Sequence, residues 1–245
     1  ELNHGQAHNQ PPLIAIPGLD GTIGSIEPVV SRLAHRREVI VVDFSAEQNQ
    51  TLEMLVAEIS ALLAAQQFSA LDIMGQSIGT ILAAQLSASP KLPARRVVLT
   101  CTFTRARWTT LRWVVRLTRL SPRFLYRLTS PLTIALSCGP VGDGRQHPAF
   151  AASRDSDKEA IARRTAWQIG RDFSADLARV PAPLLILMGQ KDRFVPHAGR
   201  EIAKLRALLA ERPEARVLPV ANAGHIFLPS AAIDEASERI EAFLQ

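Results

Sequence analysis

Short apolar runs alternating with longer amphipathic stretches set the rhythm of this chain. Leu13 to Ile16, Val39 to Val42, Leu71 to Met74, Val97 to Thr100, Leu184 to Met188 and Val217 to Val220 are rich in Leu, Ile and Val and predict six strands. The stretches between them predict helices over about Ile26 to Ala34, Thr51 to Gln66, Ile78 to Ala88, His197 to Ala210 and Ala231 to Leu244. Thr51 is placed as an N-cap, with Glu53 in the first turn where the helix dipole favours a negative charge. Strands alternating with helices predict the α/β class: a mostly parallel sheet of about six strands, with helices on both faces.

The rhythm breaks once. After Thr104 the next strand is delayed for about seventy residues, to around Asp172, by a segment rich in Arg, Thr, Ser and Pro. Loops at the C-terminal edge of an open α/β sheet form ligand crevices, so this segment is expected to lie above that edge as a helical lid. The expected organisation is therefore a core of residues 1–104 and 173–245 carrying an insertion of residues 105–172. Within the insertion, Arg112, Arg116, Arg119, Arg123 and Arg127 recur at helical spacing, and Leu111, Val114, Val115, Leu117 and Leu120 take the opposite positions. Pro122 interrupts the row, which predicts two short helices rather than one. Their apolar side is expected to cover the active site, with Trp108 and Trp113 as candidate substrate-binding residues.

Length and charge narrow the picture further. At 245 residues the chain fits one large domain with a sizeable single core, and no apolar run approaches a membrane span. The expected location is the cytoplasm. Export stays open because the sequence starts at Glu1 rather than Met, and the polar opening to Gln10 reads as a loose tail. The net charge of +5 is uneven: from Lys91 to Gly142 there are nine arginines and no acidic residue. Such a segment suits solvated arginines first. The functional alternatives are an anionic membrane surface or an acidic carrier such as a CoA phosphate or an acyl-carrier protein. Nucleic acid is not expected, because basic charge without a reading motif is only an electrostatic footprint.

Candidate chemistry centres on Gly75-Gln76-Ser77-Ile78-Gly79, between the third apolar run and a helix. A serine that attacks a carbonyl must be lifted clear of the sheet by a sharp turn, which requires tiny neighbours such as Gly75 and Gly79. A bare G-x-S-x-G arises by chance in on the order of one in ten chains of this length. Its place between strand and helix is what gives it weight. A serine hydroxyl is a poor nucleophile at neutral pH; it needs a base, and the base needs a partner that fixes its tautomer. Of six histidines, His225 follows the last predicted strand in Ala223-Gly224-His225, at the end of the sheet where Ser77 lies. Asp192 leaves the fifth strand in Gly189-Gln-Lys-Asp192-Arg-Phe-Val-Pro196. By residue type it suits a turn or cap, but its place ahead of the histidine loop makes it the acid candidate. Cys101 and Cys138 lack metal-type spacing and are expected to be buried free thiols, with a disulfide between them left open. No metal cluster, phosphate-binding loop or dinucleotide fingerprint stands out, so no metal or cofactor is expected.

These three motifs together resemble the α/β-hydrolase superfamily, from about Pro12 to the C-terminus and fading across the insertion. The resemblance implies a triad of nucleophile Ser77, acid Asp192 and base His225, in that chain order. It also implies an oxyanion hole from the backbone N–H groups of Ile78 and of Leu19 in Pro17-Gly18-Leu19-Asp20-Gly21. Relatives often carry histidine where this chain has Pro17, a difference that backbone donors tolerate. Larger members begin with an antiparallel hairpin, whereas barely ten residues precede the first strand here, so the sheet is expected to lack those edge strands. This short start and the Pro17–Gly21 loop are similar to thioesterase domains of acyl-chain assembly lines. Many of those place the acid after the strand that follows the nucleophile helix, where this chain has Cys101-Thr102-Phe103-Thr104.

The leading expectation is a cofactor-independent serine hydrolase acting on a small-molecule carboxylic ester with a hydrophobic part. The runner-up is a thioesterase or acyltransferase acting on acyl-CoA or carrier-bound acyl groups, and lactone hydrolysis is compatible with the same machinery. A ligand receptor or scaffold on the same fold is the alternative from a different class. The serine argues against haloalkane dehalogenases and epoxide hydrolases of the superfamily, which use aspartate there.

Overall fold

The computed structural model describes residues 10–46, 50–106, 108–195 and 197–245, without the side chains of residues 108–110 and 137. The polar opening to Asn9, Arg107, the side chain of Trp108 and Pro196 thus lie outside the described residues. Six strands form one sheet: β1 (Leu13–Ile16), β2 (Val39–Val41), β3 (Leu71–Gln76), β4 (Ala94–Thr100), β5 (Leu184–Gly189) and β6 (Ala215–Val220). Their order is β2-β1-β3-β4-β5-β6 and every neighbouring pair is parallel. Among the described residues the sheet has no antiparallel edge hairpin. The chain leaves β1 toward one edge and returns to build β3 on the other side, so the sheet has its switch point between β1 and β3. Loops at the carboxyl ends of these two strands face each other across a crevice, the place where such sheets bind ligands.

Alternation along the strands explains why both faces are covered. Ile14, Ile16, Ile73, Val97, Leu99, Leu184 and Ile186 pack into one core. Their immediate neighbours Leu13, Met74, Val98, Leu185 and Leu187 pack into another on the opposite face. The first core is closed by α2 (Leu52–Ala65), α3 (Gly79–Ser87), α8 (Ser174–Ala178) and α9 (Ala198–Leu208), the second by α1 (Glu27–Ala34) and α10 (Ser230–Leu244). Thr51 caps α2, its hydroxyl accepting from the N–H of Met54 at 3.2 Å. No helix among the described residues is long and apolar enough to cross a membrane.

Strand β4 begins three residues before the apolar run that predicts it, at Ala94-Arg95-Arg96. Hydropathy misses this start because two arginines read as polar, although Arg95 is neutralised by a buried carboxylate and Arg96 lies over the Phe243 ring. Arg37 and Arg95 both donate to the fully buried Asp72 carboxylate, at 2.7 and 2.6 Å, and both also donate to the carbonyl of Leu244 at the end of α10. The ion cluster thereby ties the C-terminal helix to the amino-terminal edge of the sheet. Removing Asp72 would leave the buried Arg37 charge uncompensated, which costs about 3–5 kcal/mol, whereas removing either arginine leaves Asp72 one cation.

Between β4 and α8 lie four α-helices among the described residues: α4 (Trp108–Leu120), α5 (Arg123–Ser137), α6 (Pro148–Asp155) and α7 (Lys158–Ala166). Helix α4 packs on α7 and α5 on α6. The break at Ser121-Pro122 yields the two helices that the arginine row and its proline predict. The two ends of the segment meet in a single antiparallel bridge, Arg105 to Asp172, reinforced by an ion pair of 2.8 Å.

One expectation is corrected here. The apolar positions of α4 do not act as a single inward face: Leu111 and Val115 are buried, whereas Leu120 and Trp113 are 71% and 62% exposed. The reason is geometric, since the inner side of α4 is shared between its contact with α7 and the crevice, leaving the remaining apolar positions turned outward.

Candidate active site

Ser77 occupies the turn between β3 and α3 with a φ of 55°. A non-glycine residue in the left-handed region costs about 1–2 kcal/mol, a strain held here by close packing. A Cβ on Gly75 would strike the Gly79 carbonyl, and one on Gly79 would strike the carbonyls of Ile16 and Pro17. Both glycines therefore let helix and strand approach closely enough to form the turn. The backbone of Ser77 is pinned on both sides: its N–H donates to the Thr100 carbonyl at 3.0 Å, and its carbonyl accepts from the N–H of Thr80 at 3.0 Å.

The structure brings the three sequence candidates together. Ser77 Oγ lies 2.7 Å from His225 Nε2, and His225 Nδ1 lies 2.7 Å from Asp192 Oδ2. All three residues are buried, at 4–6% exposure, so the chain of hydrogen bonds is largely shielded from water. Asp192 Oδ1 accepts from the backbone N–H groups of Phe194 and Val195 at 2.8 and 2.9 Å, which leaves Oδ2 directed at the imidazole. The Phe194 ring lies against His225 with centroids 4.5 Å apart. In this arrangement the carboxylate favours a proton on Nδ1, and Nε2 is left to accept the serine proton.

Ile78 stands at the start of α3, where the first helical N–H groups have no partner within the helix. Leu19 lines the crevice opposite. Its loop crosses closely over the serine: a Cβ on Gly18 would sit 3.6 Å from Ser77 Cβ and would strike Gln76 Oε1. Leu19 and Ile78 thus flank Ser77 from the β1 and β3 ends of the switch point.

Several contributors carry no sequence signal of their own. Arg164 of α7 is almost fully buried and donates to the carbonyls of Leu19 at 2.9 Å, Asp20 at 3.0 Å, Ser45 at 3.2 Å and Phe44. It reads as one more surface arginine in Ala162-Arg163-Arg164 because its partners are backbone atoms far away in sequence. Burial pushes its guanidinium down to about 10, so it stays charged at neutral pH. Gln76 donates from Nε2 to the His225 carbonyl at 3.1 Å, joining the serine turn to the histidine loop. His225 N–H donates to the Cys138 carbonyl at 2.5 Å, so the end of α5 also fixes that loop. Asp20 accepts from Thr22 Oγ1 at 2.7 Å, and burial raises the pKa of its carboxyl.

A cavity of about 370 Å³ opens above Ser77 and His225. Its walls include Leu19 and Asp20 from the β1 loop, Leu111, Val114 and Leu117 from α4, and Ile134 from α5. Trp113 does not line it. Tyr126 does, and burial pushes its hydroxyl up to about 12, so the phenol stays neutral.

Cys101 and Cys138 are buried free thiols. Cys101 Sγ, Asp192 and His225 bring possible metal-ligand atoms within 4.8 Å of one another. Asp192 and His225 are engaged with each other there, and burial raises the Cys101 thiol well above its usual pKa, which opposes the thiolate that a metal needs.

Comparison with known proteins bears on the fold. The chain is similar in structure to the enol-lactonase from Burkholderia xenovorans LB400, with a TM-score of 0.76 and 19% identity over 100% of this chain and 95% of that one. An esterase from Thermogutta terrifontis superposes with a TM-score of 0.74 at 19% identity, covering 97% of this chain and 90% of that one. The bromoperoxidase from Bacillus anthracis gives a TM-score of 0.77 at 16% identity, covering 97% and 92%. At such identities the likeness is one of fold. No curated protein sequence matches the chain significantly. The family model described as the alpha/beta hydrolase family matches residues 13–240, a span that runs from β1 into α10 and takes in all six strands and the loops bearing Ser77, Asp192 and His225. The chain belongs to the alpha/beta hydrolase family.

Proposed function

We propose that the protein is a serine hydrolase that cleaves carboxylic esters through an acyl-enzyme, with Ser77, His225 and Asp192 as its triad. The observation that carries this reading is the unbroken relay of two 2.7 Å hydrogen bonds ending on a serine at the floor of a cavity. Ser77 Oγ attacks the ester carbonyl as His225 Nε2 takes its proton. Asp192 holds the resulting imidazolium, and the N–H groups of Ile78 and Leu19 receive the charge on the carbonyl oxygen. His225 returns the proton to the leaving alcohol. Water then repeats the sequence on the acyl group and frees Ser77. The apolar residues from α4 and α5 suit a hydrophobic acyl or alcohol part, and the four-helix insertion serves as the lid.

A fluorophosphonate probe tests the chemistry: labelling at Ser77 under native conditions is expected, and no labelling sinks the hydrolase reading. A thioesterase or acyltransferase would use the same groups, a reading favoured by the arginines of α4 and α5. Turnover of p-nitrophenyl esters of rising chain length against acyl-CoA thioesters separates the two. The similarity to an enol-lactonase adds lactones to the substrates worth including. The close, buried relay favours turnover over a receptor role.

A further inference from the structure

The outer side of α4 and α5 is unlike the rest of the surface. Among the described residues, twelve large apolar side chains are prominently exposed, and nine of them belong to these two helices. Leu117 and Leu120 continue along α4 from Trp113 at helical spacing. Phe124, Leu128, Leu132 and Leu136 follow one another every four residues along α5, each 58–74% exposed. A stripe of this length turned to water costs solubility unless something covers it. Arginines accompany the stripe. Arg112, Arg116 and Arg119 lie on α4 and Arg123 and Arg127 on α5, with no acidic residue in either helix. Arg116 lies over the Trp113 ring at 5.8 Å, so the cation and the largest apolar group share one spot.

The same two helices build the wall of the cavity with their other sides, through Leu111, Val114, Tyr126 and Ile134. Val114 and Leu117 belong to both surfaces: they line the cavity and are also exposed. The apolar stripe therefore runs to the entrance above Ser77.

We propose that α4 and α5 dock the protein on an anionic lipid bilayer, from which an ester enters the cavity between them; the second clause rests on the hydrolase reading, the first does not. Aromatic and aliphatic side chains seated at the headgroup boundary, with arginines beside them, are the chemistry of an interfacial helix. Arginines near a surface of phosphate headgroups gain from its negative potential. Other occupants satisfy half of the pattern. A second copy of the chain placed symmetrically on this face would set arginine rows against each other. An acidic carrier would pair the arginines and leave the apolar stripe in water.

Vesicle sedimentation tests the surface, with phosphatidylcholine alone and with equal parts of phosphatidylcholine and phosphatidylglycerol. Binding to the anionic vesicles is expected, weakening about tenfold or more in the Phe124→Asp/Leu128→Asp variant and in the Arg123→Glu/Arg127→Glu variant. None of these four residues lines the cavity, so turnover of a soluble short-chain ester stays at the parent level in both, while turnover of an ester embedded in vesicles falls. The Ser77→Ala protein binds vesicles like the parent, which separates failure of docking from failure of the chemistry. Absence of vesicle binding by the parent, or binding by either surface variant as tight as the parent's, overturns the proposal. So does a parent dimer that Phe124→Asp/Leu128→Asp dissociates, or acyl-carrier binding that only Arg123→Glu/Arg127→Glu abolishes in a protein indifferent to vesicles.

Discussion

Arg164 reaches from α7 to the carbonyl of Leu19 at 2.9 Å, so the residue we propose as an oxyanion donor is held by a charge from the insertion. Three more carbonyls share that guanidinium, fixing the β1 loop and the segment after β2 as one unit. Peptide planarity ties the Asp20 N–H to the held Leu19 carbonyl and the Gly21 N–H to the held Asp20 carbonyl; the Gly21 N–H in turn donates at 3.1 Å to the Gly18 carbonyl, which shares its peptide plane with the Leu19 N–H.

Arg164→Met is expected to lower kcat by about 10–100-fold with KM changed far less, since a misaimed oxyanion donor is felt mainly in the transition state. A boronic acid inhibitor should weaken in parallel with kcat/KM, whereas a substrate-shaped ketone that is not attacked should not. Arg164→Lys, with a point charge in place of a planar fork, should fall between. Equal losses in both ligands would make Arg164 merely structural.

Ser77→Ala should cost about 10⁴-fold or more in turnover, given how triad members act as a unit. Asp192→Asn should cost a comparable amount because it removes the acceptor that fixes the His225 tautomer. Asp172→Asn is the control: that carboxylate is spent on Ser174 and Arg105 at the surface, and kcat should stay at the parent level. A larger loss from Asp172→Asn than from Asp192→Asn refutes the assignment.

Gly79→Ala pushes a methyl into the carbonyls of Ile16 and Pro17, backbone atoms that cannot turn aside. The expected cost is about 1–3 kcal/mol, seen as a Tm lowered by roughly 2–12 °C. Gly199→Ala in α9 meets nothing within 4 Å and should leave Tm unchanged or raise it. Similar Tm values for the two variants would mean that the turn has slack.

His147 caps α6, its Nδ1 accepting from the Ala149 N–H at 3.1 Å, and burial pushes its pKa down to about 4. In the unfolded chain a histidine titrates near 6.5, so between these values the unfolded state takes up a proton that the folded imidazole refuses. Its contribution to stability is complete above about pH 6.5 and is lost as pH falls toward 4. His147→Asn keeps a capping oxygen and removes the titration. Denaturant unfolding at about pH 7 and about pH 5 should show the parent losing more stability than the variant; equal losses would place the imidazole in water.

Periodicity made the sheet legible because both faces of its inner strands are apolar; the arginine-bearing starts of β4 and β6 and the Gly75-Gln76 end of β3 escaped it. Ser77, Asp192 and His225 were legible because each follows a strand end with a glycine nearby. Arg164, Gln76 and Cys138 were not, because they act through or upon main-chain atoms, and no residue type advertises which carbonyl it will meet. Nor did helical spacing decide which apolar residues of α4 face inward, a choice made by α7.

The bridge between Arg105 and Asp172 closes the four inserted helices at a single neck, leaving the strands on either side in register without them. Such an attachment makes the insertion an exchangeable cassette: its length and lining can diverge while the sheet stays as it is. Arg164 sets the condition on that freedom. Any replacement cassette must bring its own cation to the carbonyls of Leu19 and Asp20, or the exchange that alters selectivity will also slow the chemistry beneath it.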